Sequence, residues 1–227
     1  MTLRAKSRDS SSIFCLLLTI GVRTRPWYVA PVDQRTRPAL GRPGATTHEQ
    51  IEEAAFRLFD ERGFADTTVE AIAEAVGVGR RTLFRYFESK NDIPWGRFTD
   101  SLDHFRAILA DTPIDLPLHE SVHRAVLRFN DFGPEAAAQH RRRMGLILST
   151  PALQAHSVLR YAQWRAVIAE HVAARLSLDP GDLLPVTVGH VSLALALSAY
   201  EFWLAHDDAD LLELIDSAMT GLRDHLR

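Results

Sequence analysis

A chain of 227 residues with 46% hydrophobic and 24% charged content has the make-up of a soluble globular protein, large enough for two small domains or one medium helical body. Its formal net charge of −3 excludes a protein that coats nucleic acid through bulk positive charge, so any nucleic-acid site has to be a local patch. A single cysteine, Cys15, excludes an intramolecular disulfide and a cysteine-based metal site, and the ten histidines show no metal-ligand spacing.

Residues 1–45 differ from the rest. They carry Arg4, Lys6, Arg8, Arg23, Arg25, Arg35, Arg37 and Arg42 against only Asp9 and Asp33. The apolar run Ile13–Ile20 has basic residues ahead of it, as a signal peptide would, but no small-x-small cleavage site follows. It also falls well short of the roughly 20 residues that span a bilayer. The expectation is a disordered or spurious basic extension, with a basic arm that touches DNA as the alternative.

From Thr46 the pattern is helical. Thr47 with Gln50 forms a capping box, and Ile51, Ala54, Ala55, Leu58 and Phe59 make an apolar stripe that ends at Gly63, with Phe64 folding back. Thr67 with Glu70 reads as a second capping box, opening a helix with Val69, Ile72, Ala73 and Val76 on one face. Gly77 then supplies a left-handed turn, Val78 plugs it, and Gly79 caps a helix predicted over 80–87. The three helices are expected to share a core that includes Leu83, Phe84 and Phe87. Ser89 with Asp92 is expected to cap a fourth helix running through Phe98, Leu102, Phe105 and Leu109. Two short helices around a glycine turn, the second basic, outline a helix-turn-helix.

The segment IEEAAFRLFDERGFADTTVEAIAEAVGVGRRTLFRYFESKNDI, residues 51–93, resembles the DNA-binding domain of the tetracycline-repressor (TetR) family. The narrower string GRRTLFRYFESKNDIPWG, preceded by GRPGATTH, resembles regulators associated with mycofactocin systems. The resemblance implies that the second helix of the motif enters the major groove. Arg80, Arg81, Thr82 and Arg85 lie in its first turns, where arginine can grip guanine O6 and N7 with paired hydrogen bonds. Tyr86 and Lys90 resemble the family's phosphate-contacting pair, and Thr68 stands where a further backbone contact is usual. Gly79-Arg80-Arg81 departs from the Ser-x-Gly of many relatives and points to a more G-rich operator. Seven basic against ten acidic residues across 46–99 imply modest affinity for one head, so a dimer on a palindrome is the natural solution.

Beyond residue 100 the chain reads as a helical body. Thr112–Pro117 is a linker; helices are predicted over 119–132, 135–148, from Pro151 through Leu176, over 183–204, and through Leu211–Leu226, with a turn at Asp179-Pro-Gly-Asp. The 183–204 helix is apolar on nearly every side, which fits burial on two faces or a membrane span; His190, Glu201 and the lack of a positive flank favour burial. The resemblance implies that the two last helices form a four-helix dimer interface. It also implies a small-molecule pocket among the middle helices, for which Phe105, Phe129, Met144, Leu148, Tyr161 and Trp164 are candidates. Each of these also suits plain core packing. Arg141 and Arg142, in the run Arg141–Arg143, would suit a pocket mouth for a ligand with an apolar tail and phosphates, an acyl-CoA for example, or else form a solvated basic turn.

The resulting expectation is an all-α protein. A basic extension (1–45) precedes a helix-turn-helix domain (46–91) and a helical bundle for effector binding and dimerisation (92–227). The function expected is that of a cytoplasmic, homodimeric, sequence-specific regulator, most often a repressor, with double-stranded DNA and a small effector as partners. No cofactor, metal or membrane partner is expected. No nucleophile–base pair or phosphate-cradling loop supports an enzyme; the alternative is a helical protein-interaction module.

Overall fold

The computed structural model describes residues 46–225, and the regular elements among them are all helical. The extension 1–45, with Cys15 and the run Ile13–Ile20, and the last apolar position Leu226 lie outside the described residues.

Helix α1 spans His48–Arg62 and opens as its sequence dictates: Thr47 Oγ1 accepts from Gln50 N–H at 3.3 Å while Gln50 Oε1 accepts from Thr47 N–H at 3.1 Å. Its stripe Ile51, Ala54, Ala55, Leu58 and Phe59 is buried, and Phe64 folds back against Phe59 with ring centroids 4.9 Å apart. Helix α2 spans Val69–Ala75, and its cap corrects the expectation. Thr68, not Thr67, is the N-cap, accepting from Ala71 N–H at 3.1 Å. Thr67 is instead buried, and its hydroxyl reaches the carbonyls of Gly63 (2.8 Å) and Leu58 (3.1 Å), tying the start of α2 to the end of α1. A side chain aimed into the core cannot also cap.

Gly77 takes φ +71°, a conformation that L side chains resist, and Val78 N–H closes back on Ala73 O at 2.9 Å. Helix α3 is regular only over Arg80–Leu83; bonds from Arg85 to Thr82 O and from Tyr86 to Leu83 O then tighten it as far as Phe87. Leu83 and Phe87 anchor it in the core, whereas Phe84 is 37% exposed and not a core residue. The expected single helix after Ser89 is two elements. A 3₁₀ turn, Lys90–Trp95, contains Pro94 and stops at Gly96 (φ +56°), and α4 then runs Phe98–Ala110. The Ser89 hydroxyl donates to Asp92 Oδ2 (2.7 Å) rather than capping backbone.

The body continues with α5 (Leu118–Phe129), α6 (Gly133–Ser149), α7 (Pro151–Leu176), α8 (Leu183–Ala205) and α9 (Leu211–His225). Helix α8 is long and apolar enough to cross a membrane, yet it is packed between α7 and α9. Gly189 lets α8 approach α7 closely: a Cβ there would sit 2.7 Å from Arg165 O. Leu193, Ala196, Tyr200 and Trp203 face inward; Leu183, Val191 and Phe202 remain exposed, with 50% of Phe202 accessible.

Between α5, α6 and α8 lies a buried polar chain. Tyr200 donates to Asn130 Oδ1 (2.7 Å), so its oxygen accepts from His140 Nε2–H (2.7 Å), and Asn130 Nδ2 donates to Val126 O (2.7 Å). Burial, and secondarily the Arg143 charge, lower the His140 pKa to about 3 from its ordinary 6.5. Below pH 6.5 the unfolded chain takes up a proton at this residue that the folded one refuses. Stability is therefore expected to fall with pH from 6.5 towards 3, by up to about 1.4 kcal/mol per pH unit. Urea titrations across that window should show a shallower pH slope for His140→Gln than for the parent.

Candidate nucleic-acid interface

The turn at Gly77 sets α3 across the end of α2, and two anchors, Leu83 and Phe87, leave its other side to solvent. On that open side stand Arg80, Arg81, Phe84 and Arg85. Arg80 is tethered: Nη1 lies 2.9 Å from Glu70 Oε1 on α2, and its guanidinium sits 5.3 Å from the centre of the Phe84 ring. Arg81 has no ion pair, hydrogen bond or ring contact among the described residues. Among the described residues, the Arg85 guanidinium meets the Tyr86 ring, 5.6 Å from its centre. Thr82 is half-buried beside them, and Gly79 caps α3 through its backbone geometry alone (φ −76°, ψ 153°). Thr68 is exposed at the start of α2.

The remaining two sequence candidates are engaged within the fold. The Tyr86 hydroxyl donates to Thr46 O, and its ring meets His48 edge-on at 4.9 Å, so it fastens the lead-in to α1. Lys90 Nζ donates to the carbonyls of Phe64 (2.7 Å), Thr67 (2.8 Å) and Ala65 (3.3 Å), and lies 4.4 Å from the centre of the Phe64 ring. Its ammonium thereby satisfies the α1–α2 turn. Sequence reasoning missed two participants. Phe84 has the helical spacing of a core residue, yet stands on the open side. The Glu70 tether could have been found only by knowing how α2 and α3 cross.

The candidate effector residues divide in the same way. Phe105, Phe129 and Trp164 come together, with centroids 4.5 Å (Phe105–Phe129), 5.1 Å (Phe105–Trp164) and 6.4 Å (Phe129–Trp164) apart. Met144 is buried and Leu148 half-buried on α6. Tyr161 packs on Trp95 at 5.7 Å; its buried hydroxyl lies beside that of Ser157, which donates to Leu153 O, and Trp95 Nε1 is buried without a hydrogen-bond partner among the described residues. Arg141 and Arg142 do not join this group. Arg141 donates to Trp203 O (2.8 Å) and pairs with Asp207 (2.9 Å); Arg142 pairs with Asp60 of α1. Asp207, just beyond the end of α8, and Asp60 on α1 hold these two guanidinium groups.

A three-helix head, with a short arginine-bearing helix set proud on a glycine turn and a helical body behind it, defines a helix-turn-helix transcriptional regulator. Residues 51–93 match the model of the bacterial regulatory proteins of the tetR family, and residues 116–227 match the MftR C-terminal domain. The chain belongs to the TetR family of transcriptional regulators. It is 43% identical over 179 residues, 79% of this chain and 90% of the relative, to the provisionally named mycofactocin biosynthesis transcriptional regulator MftR of Mycobacterium tuberculosis. It is 34% identical over 190 residues to the HTH-type transcriptional regulator TcmR of Streptomyces glaucescens, covering 79% of this chain and 84% of that one. In fold it is similar to the Thermus thermophilus repressor FadR solved with lauroyl-CoA, with a TM-score of 0.53, 21% identity, and coverage of 80% of this chain and 95% of that one. Regulators of this family bind DNA and small-molecule effectors and act as dimers; they are not enzymes.

Proposed function

We propose that the protein is a repressor that binds a palindromic operator as a homodimer, with residues 46–91 as the reading head and the remainder as the effector and dimerisation body. The observation that carries this reading is Arg81, an exposed guanidinium on α3 with no partner among the described residues. Arg81 and Arg85 read guanine edges, Arg80 is presented by Glu70, and Thr82 and the exposed Phe84 ring offer apolar contact to thymine methyl groups. Thr68 and the Gly79 backbone approach phosphates. The exposed stripe of α8, from Leu183 through Val191 to Phe202, together with α9, meets its copy across a two-fold axis, and this covers an apolar surface left open in one protomer. The similarity to MftR supports target genes that include those of mycofactocin biosynthesis.

The effector we assign is a small apolar or amphipathic molecule seated at the Phe105–Phe129–Trp164 cluster, with the buried Tyr161 hydroxyl and Trp95 Nε1 as hydrogen-bond donors for its polar end. An acyl-CoA fits that description, and a structural neighbour was solved with lauroyl-CoA. The arginine run does not add to the case, since its charges are already paired. Titrating lauroyl-CoA into the protein–DNA complex tests the assignment: release of DNA with a raised melting temperature is expected. An unchanged complex with no thermal shift would contradict it.

A further inference from the structure

The three consecutive arginines of α6, 100° apart on the helix, reach two neighbours: Arg141 one, Arg142 and Arg143 the other. Arg141 reaches the C-terminal end of α8. Its Nη2 donates to Trp203 O (2.8 Å) and His206 O (3.3 Å) and pairs with Asp207, and the guanidinium lies 4.8 Å from the Trp203 ring centre. Arg142 and Arg143 reach α1, where Glu52, Phe56 and Asp60 form one ridge at four-residue intervals. Arg142 pairs with Asp60, and Arg143 Nη2 lies 2.6 Å from Glu52 Oε2. Both guanidinium groups flank the Phe56 ring between those acids, at 5.2 and 5.3 Å from its centre. Arg143 Nη1 also donates to Pro94 O, so the same side chain holds the 3₁₀ turn. The Arg143–Glu52 pair is only 12% exposed on either side.

The knot leaves little slack. Gly96, where the 3₁₀ turn ends, lies against it: a Cβ there would be 2.8 Å from Glu52 Oε1 and 3.2 Å from Arg143 Nη1. A side chain held at both ends of its guanidinium, by Glu52 and by the Pro94 carbonyl, with little spare volume beside it, transmits displacement rather than absorbing it. We propose that Arg141–Arg142–Arg143 is a rigid bracket that ties the end of α8 to α1, and so sets how far apart the two α3 helices of a dimer stand. The inference rests on the paired reading heads proposed above, and it assigns to α6 the fixing of their separation. Arg142 and Arg143 are positioning residues; neither touches DNA.

The test uses the full chain and a duplex that the parent selects from a random pool, then the same duplex with one base pair inserted between the half-sites. For the parent, affinity should drop at least about tenfold on insertion, since one head is thrown out of register. For Arg142→Met, and for the double variant Glu52→Gln/Arg143→Met that leaves no lone buried charge, the penalty should shrink to within about threefold while binding to an isolated half-site stays at the parent level. Melting temperatures report folding; Arg142 and Asp60 are surface groups, so Arg142→Met remains informative if the double variant unfolds. If Arg142→Met retains the full spacing penalty, the bracket is overturned while the dimer reading stands. A parent indifferent to the insertion, or one that selects no two-fold site, would refute the paired heads themselves and the bracket with them.

Discussion

Arg81→Ala is expected to weaken operator binding by roughly 30-fold to 10⁴-fold. A good arginine–guanine pair is worth about 1–3 kcal/mol, and a homodimer loses two of them. The size of the effect follows from what Arg81 lacks. Its guanidinium has no competing partner among the described residues, so none of these has to be given up when it meets a base. Arg80 starts from a different position. It already holds Glu70 at 2.9 Å across an exposed surface, a pair worth under about 1 kcal/mol, which orients the side chain and is easily surrendered. Anisotropy titrations against the operator and its single-base variants separate the outcomes. A base reader, once removed, relaxes preference at one position in each half-site. A phosphate contact, once removed, lowers affinity for every sequence alike and reduces the salt dependence. Arg81→Lys should fall close to Arg81→Ala, because an ammonium cannot make the paired contact.

Lys90→Met is expected to cost about 3 kcal/mol of folding stability, and to lower the melting temperature by roughly 6–12 °C. Family resemblance assigns Lys90 to a phosphate, but in this chain its ammonium donates to the carbonyls of Phe64, Ala65 and Thr67, and methionine would leave those acceptors in the α1–α2 turn unpaired. Burial lowers the Lys90 pKa and the Asp66 charge opposes that shift. Calorimetry with a DNA salt titration distinguishes the two roles. Lost stability with an unchanged salt slope places Lys90 in the turn. Unchanged stability with a slope smaller by about two, one phosphate per protomer, would place it on the DNA.

These two residues show what the sequence could carry. The capping box at Thr47 and Gln50, the Gly63 stop, the Gly77 turn and the start of α7 at Pro151 were all legible, because each depends on neighbours within a turn of helix. What depended on how helices cross was not. Thr67 and Thr68 are both competent caps, and only the position of Leu58 and Gly63 decides which hydroxyl turns inward. Phe84 has the spacing of a core residue, but α3 tightens after Leu83 and leaves it outside. The arginine run could be seen to be unusual without showing its purpose. Its acids lie on α1 and beyond α8, and nothing in residues 141–143 names Glu52, Asp60 or Asp207. In the body, the aromatic cluster was legible as residue types, but not as one packed group of Phe105, Phe129 and Trp164.

The central claim is that two α3 helices, each presenting an exposed Arg81, read a two-fold site. Nuclease footprinting of the purified protein on the DNA upstream of its own gene tests it directly. The expected result is one protected region with a two-fold symmetric core and guanines in each half-site, lost when Arg81→Ala replaces the parent at the same concentration. A footprint without two-fold symmetry, or one that Arg81→Ala leaves intact, would contradict it.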